Sequence, residues 1–230
     1  MTKPIVLKKG VIVAGHPRSG TSLACQLVES AGVSFPNDFE GDEYNQAGYY
    51  EMAISKEVSK ELMNEAMTEE NTEKMNEVIK RLNDREGWSG LKLVRVPALF
   101  FYRHVADQLK MVGVFRKPAN VKASLFKRGI GEFPVPWRKN ANALIAAYEN
   151  IDESILVSYE SLLDREPHIE EGFEKIGLEV DTSLIDSDQQ TQQNSRVMVT
   201  EDERRLYERL KELERESCSK TGSRWHKFKV

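Results

Sequence analysis

Arg18, Thr21 and Ser22 are the first residues in the chain whose types and spacing could do chemistry together. They lie in or just after a loop opened by Gly15 and closed by Gly20. The β-branched run Val11–Val13 before the loop reads as a buried strand, and Ser19 to Ala31 reads as the helix leaving it. A strand, a glycine-bounded loop and a helix N-terminus aim several backbone N–H groups and the positive end of a helix at one phosphate. Gly15 and Gly20 permit the backbone turn and close approach that this requires. Thr21 and Ser22 add hydroxyl donors, and Arg18 adds a permanent cation.

A second pair has the same character. Arg116 ends an apolar run, Val112-Gly-Val-Phe115, and Pro118 follows at a favoured helix-start position. Ser124 comes eight residues after Arg116, about two helical turns along. An arginine fork and a hydroxyl so placed can hold one phosphate from two sides.

The loop shares the glycine spacing of the Walker A pattern, G-x-x-x-x-G-K-[ST], but Thr21 and Ser22 stand where Lys and Ser/Thr are required. That lysine reaches the β- and γ-phosphates of a nucleoside triphosphate, so its absence disfavours an ordinary ATPase or kinase.

Pro17-Arg-Ser-Gly-Thr-Ser-Leu23 resembles the 5′-phosphosulfate-binding loop of sulfotransferases that use PAPS (3′-phosphoadenosine 5′-phosphosulfate). The Arg116–Ser124 pair is similar to the same family's 3′-phosphate motif, and Ile155-Leu-Val-Ser-Tyr-Glu-Ser-Leu-Leu163 to its strand followed by Tyr-Glu-Asp-Leu. The resemblance runs from Val11 to Phe228 and is weakest in residues 53–85 and 181–194. It implies transfer of a sulfonate from PAPS to a hydroxyl or amine, with release of PAP and no metal. It implies cofactor contacts from His16, Pro17, Arg18, Ser19, Gly20, Thr21, Ser22, Arg116, Ser124 and Tyr159. Arg224 would close over the 3′-phosphate side, although Ser223 replaces the glycine of the family's Gly-Arg-Trp.

For chemistry, the resemblance implies Arg18 and Lys92 as the cations that meet developing charge, with Lys92 on a strand beside the cleft. The histidine found two residues after this lysine in many family members is Val94 here, so the usual base is missing; other members use a carboxylate from the segment after the first helix. Asp38, Glu40, Asp42, Glu43 and Glu51 are the candidates. Glu51 leads, because Asn45-Gln-Ala-Gly-Tyr-Tyr-Glu51 is similar to the Asn-Pro-x-Gly-Tyr/Phe-x-Glu segment of bacterial members. Two other readings stand beside this one: a nucleotide or small-molecule kinase with a degenerate loop, and a non-catalytic nucleotide-binding protein of the same fold.

These groups need a frame. Strands read at residues 91–96, 111–115 and 154–157 alternate with helices at 98–109, 117–127, 137–150, 158–163 and 167–176. The alternation predicts an α/β domain with a central parallel sheet flanked by helices in three layers, P-loop NTPase-like, whose ligands sit beyond the strand C-termini. The whole chain, 1–230, reads as one such domain, with a peripheral helical insertion at 53–86 and a polar loop at 181–198. Thr200 and Glu203 read as the capping box of a last helix with a mostly solvated face.

The formal net charge of −4 disfavours nucleic acid and anionic membranes as partners. Two cysteines, Cys25 and Cys218, make neither a disulfide framework nor a zinc pattern. No apolar run reaches membrane-span length, and Met1–Lys9 does not read as a signal peptide, so the expected location is cytoplasmic. The acceptor, a small molecule, a glycan or a lipid, stays open at this point.

Overall fold

The computed structural model describes residues 2–41, 48–63, 67–131, 133, 135–186 and 196–219. Four parallel strands, β1 (Leu7–Gly15), β2 (Ser89–Leu93), β3 (Ala106–Phe115) and β4 (Glu153–Ser158), form a sheet in the order β2-β1-β3-β4. Side chains on β1 alternate between two cores. Ile12 and Ala14 face one, with Leu91, Leu93, Met111 and Leu156. Val11 and Val13 face the other, with Val112, Val114, Ile155 and Val157. That period of two, apolar on both faces, is the pattern of a strand buried between helical layers.

Helices α1 (Thr21–Ser30), α7 (Tyr159–Leu163) and α8 (Pro167–Lys175) carry apolar residues into the second core. The first core is filled from α2 (Ala53–Glu61), α3 (Glu69–Asn83), α4 (Leu99–Val105), α5 (Pro118–Lys127), α6 (Trp137–Asn150) and α9 (Glu201–Cys218). The expected three-layer α/β architecture is therefore the one observed. Among the described residues no helix is long and apolar enough to cross a membrane.

Three expectations need correction. Residues 53–86 do not stand apart as an insertion: Met75, Val78, Ile79 and Leu82 of α3 are buried in the first core beside Ile12 and Leu91. The helix read at 98–109 stops at Val105, because Ala106 already pairs with Leu7 and Gln108 with Lys9. Strand pairing outweighs local helix propensity there. The strand read at 91–96 is Ser89–Leu93, and Val96–Ala98 is a 3-10 turn containing Pro97. Most of the 181–198 loop, residues 187–195, lies outside the described residues.

Helix α9 explains how the open edge of the sheet is closed. The backbone N–H of Leu156 donates to Ser217 Oγ at 3.0 Å, and that of Ser158 to Glu214 Oε1 at 2.6 Å. These alternate N–H groups of the edge strand β4 would otherwise be left without sheet partners. Lys211 donates to the second oxygen of Glu214 and to Ser161 Oγ, so the fully buried carboxylate is neutralised. The face of α9 expected to be solvated thus hides a structural ion pair. The capping box does form: Glu203 N–H donates to Thr200 Oγ1 at 3.2 Å, and Thr200 N–H to Glu203 Oε2 at 2.8 Å.

Replacing Glu214 with Ala should cost about 3 kcal/mol, because it leaves both Lys211 and a strand N–H uncompensated. Ser217→Ala should cost about 1 kcal/mol. Urea denaturation of both variants reads this directly. Equal, near-zero losses would show that α9 does not clasp the edge.

Candidate active site

The loop after β1 is shaped by its glycines. A Cβ on Gly15 would lie 2.3 Å from the Val114 carbonyl oxygen of β3, so only glycine lets the two strand ends run this close. Arg18 at φ 69° and Gly20 at φ 91° are both left-handed. Ser19 N–H donates to His16 O at 3.1 Å and closes the turn. Helix α1 starts at Thr21, and its cap residue, Gly20, brings no side-chain acceptor to the first turn. The helix end therefore presents donors and partial positive charge at the loop mouth.

Gly20 has a second role. A Cβ there would meet Cδ2 of Tyr159 at 2.4 Å. The Tyr159 ring lies against the loop, and the Arg116 guanidinium lies over that ring, 4.3 Å from its centre. Arg116, itself nearly fully buried, donates to the Arg18 carbonyl at 3.2 Å. Arg18 Nε donates to Ser124 Oγ at 3.0 Å. Four residues predicted from three distant motifs, Arg18, Arg116, Ser124 and Tyr159, are thus brought into one cluster. The Arg18 side chain turns toward the Ser124 side of the site rather than staying over its own loop. Tyr159 is a packing platform for loop and arginine.

Burial lowers the proton affinity of both guanidiniums, and Arg128 and Arg116 repel Arg18 further. Glu160 and Tyr159 partly offset this at Arg116. A buried Arg116 with half-buried Arg18 and Arg128 around it is a cluster of like charges suited to an anion. Arg128 was missed by sequence reasoning, although it lies four residues past Ser124, one helical turn on.

On the other side of the loop, Lys92 emerges from β2, in register with Val13, on the α1 face of the sheet. Its Nζ donates to Ser22 Oγ at 2.9 Å and to the Tyr49 carbonyl at 2.7 Å, and lies 3.2 Å from Glu51 Oε1. Lys56 Nζ lies 3.4 Å from the other Glu51 oxygen. Glu51 is held by its backbone, with its N–H donating to Asn37 Oδ1 and its carbonyl accepting from Asp38 N–H. Tyr50 before it adopts φ 54° and donates to Glu29.

The other carboxylates separate by position. Asp38 is engaged by Arg81, which holds its carboxyl below the usual range, and it also accepts from Ala53 N–H at the start of α2. Glu40 is exposed. Asp42 and Glu43, and residues 45–47 of the segment that singled out Glu51, lie outside the described residues, as does Arg224.

Not every loop side chain faces the mouth. His16 is buried, with Nδ1 donating to Pro17 O and its ring edge-on to Phe133, and burial depresses its pKa. Ser19 Oγ is fully buried and has no hydrogen-bond partner among the described residues. Thr21 is buried too, its methyl facing the site of the missing Gly15 Cβ. A ligand at the mouth would meet His16 and Ser19 through backbone only. Among the described residues no group of three His, Cys, Asp or Glu side chains could hold a metal ion.

No family model matches the chain, and no curated protein matches its sequence. Solved structures do match. The sulfotransferase domain from the Synechococcus PCC 7002 olefin synthase aligns at a TM-score of 0.55 with 16% identity, covering 91% of this chain and 96% of that one. The sulfotransferase domain from the curacin biosynthetic pathway aligns at 0.50 with 11% identity, covering 92% and 99%. The chain has the fold of these sulfotransferase domains.

Gly20→Ala should destabilise the protein by about 2–3 kcal/mol, part from a left-handed non-glycine backbone and part from displacing Tyr159. In a Tyr159→Ala background the second part disappears, leaving about 1 kcal/mol. Strictly additive losses in chemical denaturation would show that the ring does not rest on Gly20.

Proposed function

We propose that the protein is a sulfotransferase that moves a sulfonate from PAPS to a hydroxyl or amine and releases PAP. One observation carries this reading: the glycine loop at the head of α1 has a buried arginine cluster on one side and a lysine–carboxylate pair on the other. The sulfotransferase fold of the chain supports it.

The residues present fit the cofactor. Arg116, Ser124, Arg18 and Arg128 would hold the 3′-phosphate end, the guanidiniums and the hydroxyl offering donors from several sides. The loop N–H groups and the start of α1 would hold the 5′-phosphosulfate end. When bound, PAPS supplies a sulfonate already activated by a phosphate leaving group. Lys92, fixed by Ser22 beside the loop, brings a cation to the oxygen where negative charge grows. Glu51 takes the acceptor's proton. Overall, a bond from the acceptor's oxygen or nitrogen to sulfur would form as the sulfur–oxygen bond to phosphate breaks, the electron pair would leave with PAP, and the proton would pass to Glu51. At rest Glu51 is tied to two lysines, so Lys92 must turn toward the leaving oxygen for the carboxylate to act as a base.

A kinase reading lacks support from these residues. Thr21 occupies the lysine position of the loop, and Arg116 rather than an acidic magnesium ligand follows β3.

Titration calorimetry should show PAP binding at least about tenfold tighter than ADP, the fold expected for one charge-assisted phosphate contact. Arg116→Ala should erase that preference and Arg116→Lys retain part of it. Equal affinity for PAP and ADP in the wild type would overturn the reading. Glu51→Gln should leave PAP binding intact while lowering sulfonate transfer by roughly 10²–10⁴-fold. Unchanged turnover would remove Glu51 from the reaction.

A further inference from the structure

Beyond Lys92 the chain leaves β2 through Val94 and Arg95, and the backbone there is pinned. Val96 N–H donates to Asn140 Oδ1 at 3.0 Å, and the Arg95 carbonyl accepts from Ala98 N–H at 3.0 Å. Arg95 is thereby aimed from a fixed base. Its guanidinium is half-buried and lies 5.4 Å from the centre of the Phe133 ring. Among the described residues it makes no ion pair or hydrogen bond, and Glu51 acts on its charge from across the same cleft. By contrast, Arg81 pairs with Asp38 and Arg138 with Asp202. A half-buried guanidinium whose fork is not engaged by a carboxylate in two-point contact is suited to an incoming one.

Arg95 lines a shallow cleft together with Glu51, Lys56, Ser59 and Lys92. Ser59 is 3% exposed, and its Oγ has no hydrogen-bond partner among the described residues. Lys56 reaches over the Phe39 ring as well as toward Glu51. Three cations and one carboxylate therefore meet in one cleft of a chain whose net charge is −4. None of the residues of the phosphate loop lines it, and Lys92, bonded to Ser22, joins the cleft to the loop end that would take the donor.

We propose that the acceptor is a hydroxy acid, whose carboxylate docks on Arg95, with Ser59 and Lys56 at its side, while its hydroxyl faces Glu51. The planar guanidinium suits a carboxylate in two-point contact, and the Phe133 ring fixes the plane of that fork. A carboxylate there also draws Lys56 away from Glu51, which leaves one cation fewer on the base. The acceptor's own charge would then help to free the group that deprotonates it.

This inference rests on the sulfotransferase reading, and its test keeps the two apart. PAP is titrated first into wild type and Arg95→Gln. The PAP complexes are then titrated with a panel of hydroxy acids (4-hydroxybenzoate, glucuronate, lactate), each beside its methyl ester. At least one acid should bind the wild-type complex about tenfold or more tighter than its ester, the fold expected for a charge-assisted contact. Arg95→Gln should lose that preference, Arg95→Lys should keep part of it, and PAP affinity should change less than twofold in both. No acid exceeding its ester would overturn the inference while leaving PAP binding, and so the broader reading, standing. A loss of PAP affinity of tenfold or more in Arg95→Gln would overturn it differently, by assigning this guanidinium to the donor. Failure of PAP to bind the wild type would instead sink the sulfotransferase reading itself.

Discussion

Holding Arg18 and Arg116 side by side under cover is the demand that the rest of the site is arranged around. Like-charged guanidiniums removed from water repel each other and lose hydration, an effective penalty of several kcal/mol per ion in real proteins. The fold offsets it locally. The Tyr159 face under Arg116 contributes about 0.5–2 kcal/mol as a cation–π contact. The Arg18 carbonyl and the Ser124 hydroxyl take up N–H groups from Arg116 and Arg18 in turn. The ring can lie there only because Gly20 has no Cβ, and Gly20 can turn there only because it tolerates φ 91°. The loop glycine, the strand-end arginine and the helix-start tyrosine are consequently one mechanical unit, although they sit far apart in the chain.

Features set by local rules were legible in the sequence. The loop, the helix after it, the capping box at Thr200 and the alternation of strands and helices all follow from side-chain patterns within a few residues. The pairing of Arg116 with Ser124 could be read because both sit at defined points of one strand–helix unit. What escaped was set by contacts between distant segments. β3 begins at Ala106 because β1 is there to pair with it, and nothing between Ala98 and Leu109 announces that partner. Glu214 reads as one more surface charge on an acidic helix, yet it serves an edge strand some sixty residues earlier. The direction of the Arg18 side chain depends on where α5 lies, which no property of the loop encodes.

Similarity of fold and similarity of site carry different weight here. At 11% and 16% identity, the matched sulfotransferase domains speak for the backbone alone. A fold of this kind can hold many chemistries, because the strand C-termini and the loops beyond them can be refitted while the sheet stays the same. The functional reading therefore rests on what this chain places at those ends. Four of the candidates sit at or near a strand end: Gly15 at the end of β1, Lys92 near the end of β2, Arg116 just past β3 and Tyr159 just past β4. All four strands of the sheet deliver a residue to the same rim, which is the arrangement expected if the rim, rather than the sheet, is what function shaped.

Lys92 makes that rim a coupled system rather than a set of separate contacts. It is nearly fully buried and touches α1 through Ser22, the segment before α2 through the Tyr49 carbonyl, and the candidate base Glu51. An arriving negative charge at the loop competes with Glu51 for Lys92, and a negative charge in the adjoining cleft competes with Glu51 for Lys56. Each would release one tether from the same carboxylate. The left-handed Tyr50, costing about 1–3 kcal/mol, keeps that carboxylate aimed inward while the tethers are exchanged. Under the sulfotransferase reading, the base is restrained while the site is empty and freed only when both substrates have brought their charges, so the pairing that neutralises Glu51 at rest also sets the order in which its basicity appears.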